Sequence, residues 1–555
     1  MFTHLKELVV VLAIAGPVFL FAKPVALRFS LESDFVRRRN LWLILTATAF
    51  LSPTFWWFAL VATPLTIWAR RKDSNPIALY LFLLHVVPPV SVNIPVIGIH
   101  RLFNIDNYRL LSFCILIPIA WKLRHSRMRD PNLGFRAMDR WLIAYGAVQV
   151  ALFVPPDLPH QVILHDSLTN LLRRLFLFIV DVYALYFAVS RSCTNKRAIV
   201  DAEASFCVSS AVMALVGLFE TLRHWLLYSS LALSWNRNDF TFVLAYLFRG
   251  TALRAQASAG HAIALAYLLT VALGFWLYLR SRAVSKPATI CVTAVLSLGL
   301  LATYSRGPWI GAALIFMAFT ALRRRILSRS LQYGTMLAFL LAAIMLSPLG
   351  NTIINALPFT SWSSGGDFIY RQRLAERTLE LLKGHPWFGD QLAMLKMEDL
   401  RQGQGIIDLV NTYAGIALLN GIVGLTLFLG FILTGLYRAY RTARIAISFD
   451  PDLGLLGISL VACILGTLFI IADTSLILGV QQLFYVLAGL AAGYANLSPP
   501  SVTPVGSNGH ITQSNVSPQL ASPKPRYLST NLIATVLCRV RGRPPRGLGR
   551  GVRAG

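Results

Sequence analysis

Apolar stretches of roughly 15 to 25 residues recur along most of the chain, and that spacing decides what it can fold into. Wound as helices, such stretches match the hydrocarbon thickness of a bilayer, where backbone N–H and C=O groups find no water and must pair within the segment. The short alternating segments that build a barrel are not the pattern here, so the expected fold is all-α, a polytopic integral membrane protein. Composition agrees: 56% of the 555 residues are hydrophobic, 14% are charged, and the mean hydropathy is +0.61. A net charge of +27 would suit a nucleic-acid binder, but the Lys and Arg residues gather in short segments between apolar runs, as anchoring at a cytoplasmic membrane face requires. The expected surroundings are therefore a lipid bilayer and no nucleic acid. The six cysteines form no Cys-x-x-Cys or Cys/His cluster, so neither a metal site nor a disulfide framework follows, and no cofactor is expected.

Positive charge orders the spans. The basic segments 122–140, 280–286, 323–329 and 438–444 are expected to be cytoplasmic loops, which leaves 155–170, 223–259, the short turn 303–308 and the long segment 348–408 on the outer side. The run 8–22 reads as a retained first helix, with few charges before it and no small-residue cleavage site after it. The run 41–69 carries Ser52-Pro53 in its middle and basic residues at both flanks, which predicts a tight hairpin. About 13 to 15 spans are expected in all, within a polytopic domain over 1–497. From 498 to 555 the chain turns to Ser, Pro, Asn and Gly and then to Arg without acid, the composition of a disordered, basic, cytoplasmic tail.

The segment 348–408 is the long connection that resembles neither a span nor a tail. It lies between the apolar runs 331–346 and 409–436 and is close to neutral within a strongly basic chain. Asp367 is placed to cap a helix beginning near Ile369, with Leu374, Thr378, Leu381 and Leu382 on one face and Arg373, Glu376, Arg377 and Glu380 on the other. Gly384 and Pro386 end that helix, and the aromatic turn His385-Pro386-Trp387-Phe388-Gly389 follows, suited to a membrane interface. The segment reads as a large helical lid that carries chemistry.

Three motifs carry a resemblance. Thr303-Tyr304-Ser305-Arg306-Gly307-Pro308-Trp309 looks like the Ser-Arg-Gly signature of the O-antigen ligase and O-antigen polymerase family. Arg373-Leu374 followed by Gly384-His385-Pro386-Trp387-Phe388-Gly389 is similar to that family's Arg, short helix and His-Pro-x-x-Gly, and Asn411-Thr412-Tyr413 with Gly421-Ile422-Val423-Gly424 resembles its Asn-containing helix start. Arg254, six residues before Gly260, matches the family's first outward arginine more loosely. The resemblance spans roughly 254–436. It implies a metal-independent membrane glycosyltransferase of the bacterial inner membrane, acting on an undecaprenyl-diphosphate-linked glycan beside other envelope polysaccharide-assembly proteins, with the lid in the periplasm.

The candidate catalytic residues are Arg254, Arg373 and Asp408, and the candidate substrate-binding residues are Arg306, Arg371, Arg377, His385 and Asn411. Guanidinium forks suit a lipid diphosphate leaving group, because they meet its developing charge bidentately. Each position also has a plainer reading. Arg254 can anchor at headgroup level, Arg373 can pair along a solvated helix face, and Ser305 and Gly307 can let helices approach closely. His385 reads as a loop-shaping residue rather than a base. The family's ligases place a His directly before the Asn of the next helix, and here that position is Val410. Asp408, the nearest acceptor, also suits a cap for a helix starting near Leu409. His160, His165, His224 and His261 stand alone and read as structural. The missing His favours a polysaccharide polymerase over a ligase. A lipid-linked oligosaccharide flippase would show internal repeats and mid-bilayer charges, which the chain lacks.

Overall fold

The computed structural model describes residues 4–96, 99–126, 137–152, 167–236, 247–249, 251–282, 285–324, 366–401, 407, 409–476 and 479–497. The apolar run 331–346, the first part of the lid at 348–365, Asp408, the segment 155–166 and the tail 498–555 therefore lie outside the described residues. Helices dominate: α1 (Leu5–Ala26), α2 (Glu32–Leu51), α3 (Phe55–Lys72), α4 (Pro76–Leu83), α5 (Asn107–Leu111), α6 (Ile117–Ser126), α7 (Ala137–Ala151), α8 (Ser167–Phe178), α9 (Ala184–Ser192), α10 (Lys196–Arg223), α11 (Ser229–Trp235), α12 (Ala262–Leu279), α13 (Lys286–Ala302), α14 (Arg306–Arg324), α15 (Gly366–Gly384), α16 (Thr412–Ala446), α17 (Pro451–Ile470) and α18 (Gly479–Tyr494). Two antiparallel hairpins complete it: β1 (Val92–Val96) with β2 (Ile99–Ile105), and β3 (Phe248–Arg249) with β4 (Ala252–Leu253).

Among the described residues, five helices are long and apolar enough to cross a membrane: Leu5–Ala26, Lys196–Arg223, Ala262–Arg282, Thr412–Ala446 and Pro451–Ile470. Four of them start on a side-chain cap. Asn195 caps α10 by accepting from the Ala198 amide, and Asp450 caps α17 by accepting from the Asp452 and Leu453 amides, with Pro451 at the first helical position. Helices α10 and α12 are buried along most of their length and form the centre of the bundle, packing on each other and on α4, α13 and α17. At the rim, Leu20, Phe21, Trp57, Leu60, Ile290 and Leu433 are exposed, as a lipid-facing surface requires.

The expected hairpin over 41–69 is present as α2 and α3, broken at 52–54 and packed together. Other expectations are corrected. Residues 438–444 are no loop: they are the last turns of α16, so their arginines project from a helix end. The lid helix α15 begins at Gly366, which puts Asp367 in its first turn rather than at its cap. The next helix begins at Thr412, not near Leu409, and its cap is Asn411. The β1–β2 hairpin has no counterpart in the sequence reading. Its β-branched and aromatic residues pair Val92 with Ile105 and Ile94 with Phe103, a local pattern hidden within a largely apolar chain.

Candidate active site

Arg254 leaves the β3–β4 hairpin and turns inward, 7% exposed. Its Nε donates to the Thr303 carbonyl at 3.1 Å and its Nη2 to Ser305 Oγ at 2.9 Å, while the neighbouring Ala255 amide donates to the Ala302 carbonyl at 3.0 Å. Arg249 reaches the carbonyl of Tyr304 at 3.3 Å. The end of the β3–β4 hairpin and the segment 303–308 are thereby joined at one sharp turn, in which Tyr304 adopts a φ of +47°. That conformation is uncommon for a non-glycine residue, and the bonds around it hold it in place. Arg306 opens α14, where a cation opposes the helix dipole. The opposite charge is close by, since a Cβ on Gly307 would fall on the carboxylate of Asp473.

Asp473 follows α17 and also pairs with Arg371 of the lid helix α15. The start of α16 converges on the same loop: the Thr412 amide donates to the Ile471 carbonyl at 2.9 Å, Thr412 Oγ1 to the Thr474 carbonyl at 2.8 Å, and Ser475 to the Leu409 carbonyl. Asn411 Oδ1 accepts from the Tyr413 and Ala414 amides at 2.9 and 3.1 Å, so half of its amide is committed to the helix cap.

The lid has its own small core. Leu374, Ala393, Met397, Leu400 and Leu418 are buried together, with Tyr370, Leu381, Leu409 and Val410 packed against them. This core sets the direction of each lid arginine. Residues 371 and 373 lie about 200° apart around the helix, so while Arg371 reaches Asp473, Arg373 stands exposed and bonds to no described residue. Arg377 pairs with Glu380 at 2.6 Å and donates to the Lys396 carbonyl at 3.1 Å. The Glu380 bond raises its already high pKa and commits it to the lid itself.

The aromatic turn docks on a break in α16. Gly421 sits at φ +65° and ψ −169°, a region essentially closed to residues with a Cβ, and the helix hydrogen bonds opened there are taken up by the turn. The Ile422 and Val423 amides donate to the carbonyls of Pro386 and Trp387 at 2.9 and 3.1 Å, and the Asp390 amide donates to the Leu418 carbonyl at 2.8 Å. Gly389, at φ +69°, lets the two backbones meet, since a Cβ there would lie 2.5 Å from the Leu418 carbonyl. His385 contributes its backbone carbonyl to this turn, accepting from the Gly389 amide at 3.0 Å, and its ring is exposed. Asp390 resists burial through Lys396, which donates at 2.6 Å and, with the Leu392 amide, holds its carboxyl below the ordinary range. Arg174 of α8 donates to Gln391 at 2.9 Å, which brings a further segment onto the lid turn.

The structure therefore gathers Arg254, Arg306, Arg371 and Asn411 around the 303–308 turn and the 471–475 loop. It places Arg373 on the open face of the lid helix, and Arg377 and His385 in the lid's own framework. Sequence reasoning missed Asp473 and the break at Gly421. Both had signals: an acid within the apolar run Ile470-Ile471-Ala472, where charge is costly, and a glycine after Asn420 in the middle of a span.

An α-helical membrane protein with an arginine-bearing lid closed over one end of its bundle is the class defined by this fold and site. Within it, residues 291–429 match the family model described as O-Antigen ligase. The matched region runs from α13 through the Ser-Arg-Gly turn and the lid to the first part of α16, and it leaves out Arg254, which the fold brings to the turn. No curated protein matches the chain.

Proposed function

We propose that the chain is a polysaccharide polymerase of the bacterial inner membrane, transferring undecaprenyl-diphosphate-linked glycan units to a growing glycan on the periplasmic side. The observation that carries this reading is Val410. The position where the family's ligases hold a His base is here an apolar side chain packed against the lid core with Leu374 and Leu418. In the proposed reaction an acceptor sugar hydroxyl bonds to the anomeric carbon as the bond to the lipid diphosphate breaks. The hydroxyl proton leaves to Asp408 or solvent. Negative charge then grows on the departing diphosphate, and guanidinium groups stabilise it without a metal ion. Arg306 and Arg371 stand at the convergence, Arg373 is open to an incoming headgroup, and Arg254 holds the turn that presents Arg306.

The basic end of α16 supports this orientation. Arg438, Arg441 and Arg444 lie at the end of the helix remote from Gly421, so a cytoplasmic placement of those arginines puts the lid outside. Thirteen to fifteen spans remain part of the proposal, as do partner proteins of envelope polysaccharide assembly. The family description itself favours a second reading, a ligase that transfers the glycan to a lipid core or a protein.

One assay separates the two. Purified protein is given lipid-linked repeat units alone, and product length is followed. Chains of several units support the polymerase, whereas an absolute need for a core lipid or protein acceptor refutes it and selects the ligase. Tags within 366–401 that report the cytoplasm would refute both.

A further inference from the structure

We infer that Glu220, with its neighbour Thr221, is the positioning element that sets Arg254 on the Thr303–Ser305 turn, an inference resting on the reading in which that turn serves the lipid diphosphate. Glu220 lies in the last turn of α10 and is fully buried. A carboxylate there is costly unless its lone pairs are filled, and three backbone amides fill them. Leu227 donates to Oε1 at 3.0 Å, and Gln256 and Ala257 donate to Oε2 at 3.0 and 2.7 Å. Two consecutive amides can converge on one oxygen because the chain bends sharply, and Ala257 takes a φ of +45° to do so. The carboxylate thus holds a backbone shape that an alanine would otherwise leave.

This bend begins two residues after Arg254. Between them, the Ala255 amide bonds to the Ala302 carbonyl, and that same carbonyl accepts from Thr221 Oγ1 at 3.1 Å. Adjacent residues of α10 therefore hold both sides of the junction: Glu220 holds the bend at 256–257 that follows Arg254, and Thr221 holds the end of α13 that leads into Thr303 and Ser305. Glu220 touches no reacting group in this scheme. It fixes the distance over which Arg254 reaches the turn.

The test uses full-length protein in nanodiscs, with two readouts. Glu220→Gln keeps the shape but turns an amide NH₂ toward donors, so at least one bond is lost. Amide exchange at 256 and 257 should then speed by about tenfold or more, with faster exchange spreading to 302–305. Consumption of lipid-linked repeat units should fall by roughly 10- to 100-fold in kcat, and the same substitution should cost less than about twofold when Arg254 is already Ala. Unchanged exchange, or losses that multiply in the double variant, would overturn the inference. Should Glu220→Gln not fold, Thr221→Val removes only the bond to Ala302. Faster exchange of the Ala255 amide supports the scheme, and none refutes it. Full activity of Arg254→Ala would defeat the functional reading while leaving the exchange result to stand.

Discussion

Replacing Gly421 by alanine should release the lid from the membrane bundle. At φ +65° and ψ −169° an alanine is strained by about 1 to 3 kcal/mol, and its Cβ would fall on the Trp387 carbonyl. The turn must retreat, and α16 can then close through residue 421 as a regular helix. Closure regains intrahelical partners for the Ile422 and Val423 amides. It also takes the Leu418 carbonyl from Asp390 and the Leu419 carbonyl from Gln391, which donates to it at 2.5 Å. Two bonds at about 0.5 to 1.5 kcal/mol each, added to the strain, shift the docking equilibrium by about 2 to 6 kcal/mol toward the open lid. Hydrogen exchange read by residue measures this directly. The Asp390 amide should lose protection, while 422 and 423 keep theirs. Continued protection of Asp390 in the variant would refute the account, because it would mean that the break does not depend on the glycine. Loss of docking should also abolish most transfer activity, since Arg371 and Arg373 ride on the lid.

Arg373→Lys should impair transfer nearly as much as Arg373→Ala at unchanged expression, by about 30- to 1000-fold if a planar fork meets the developing diphosphate; full activity in the Lys variant would reduce Arg373 to a point charge on a solvated face. Val410→His should bring no gain in transfer to a lipid or protein acceptor and should lower the lid's stability, because it puts an imidazole against Leu374 and Leu418; a gain would favour the ligase. Gly307→Ala should push the Asp473 carboxylate away and free Arg371, with a stability loss below about 1 kcal/mol because both partners are well exposed; an unaltered activity would show that the Arg371–Asp473 pair has no part in the reaction.

Much of this protein is legible in one dimension. Apolar length specifies helices, because in lipid each span must satisfy its own backbone, and that requirement depends on no partner. The lid helix was equally readable: Leu374 and Thr378 are buried and the helix ends at Gly384, as a 3.6-residue period and a glycine stop dictate. What the tertiary structure alone decided is which charges meet. Arg254 and Ser305 are separated by half a hundred positions yet bonded, Arg371 finds Asp473 a hundred residues on, and Arg373, singled out by its motif, faces away from both. Sequence spacing gives a side chain's direction around its own helix but not what stands opposite. That depends on how helices cross and where one breaks, and the break at Gly421 exists because the turn 386–390 is there to receive its hydrogen bonds.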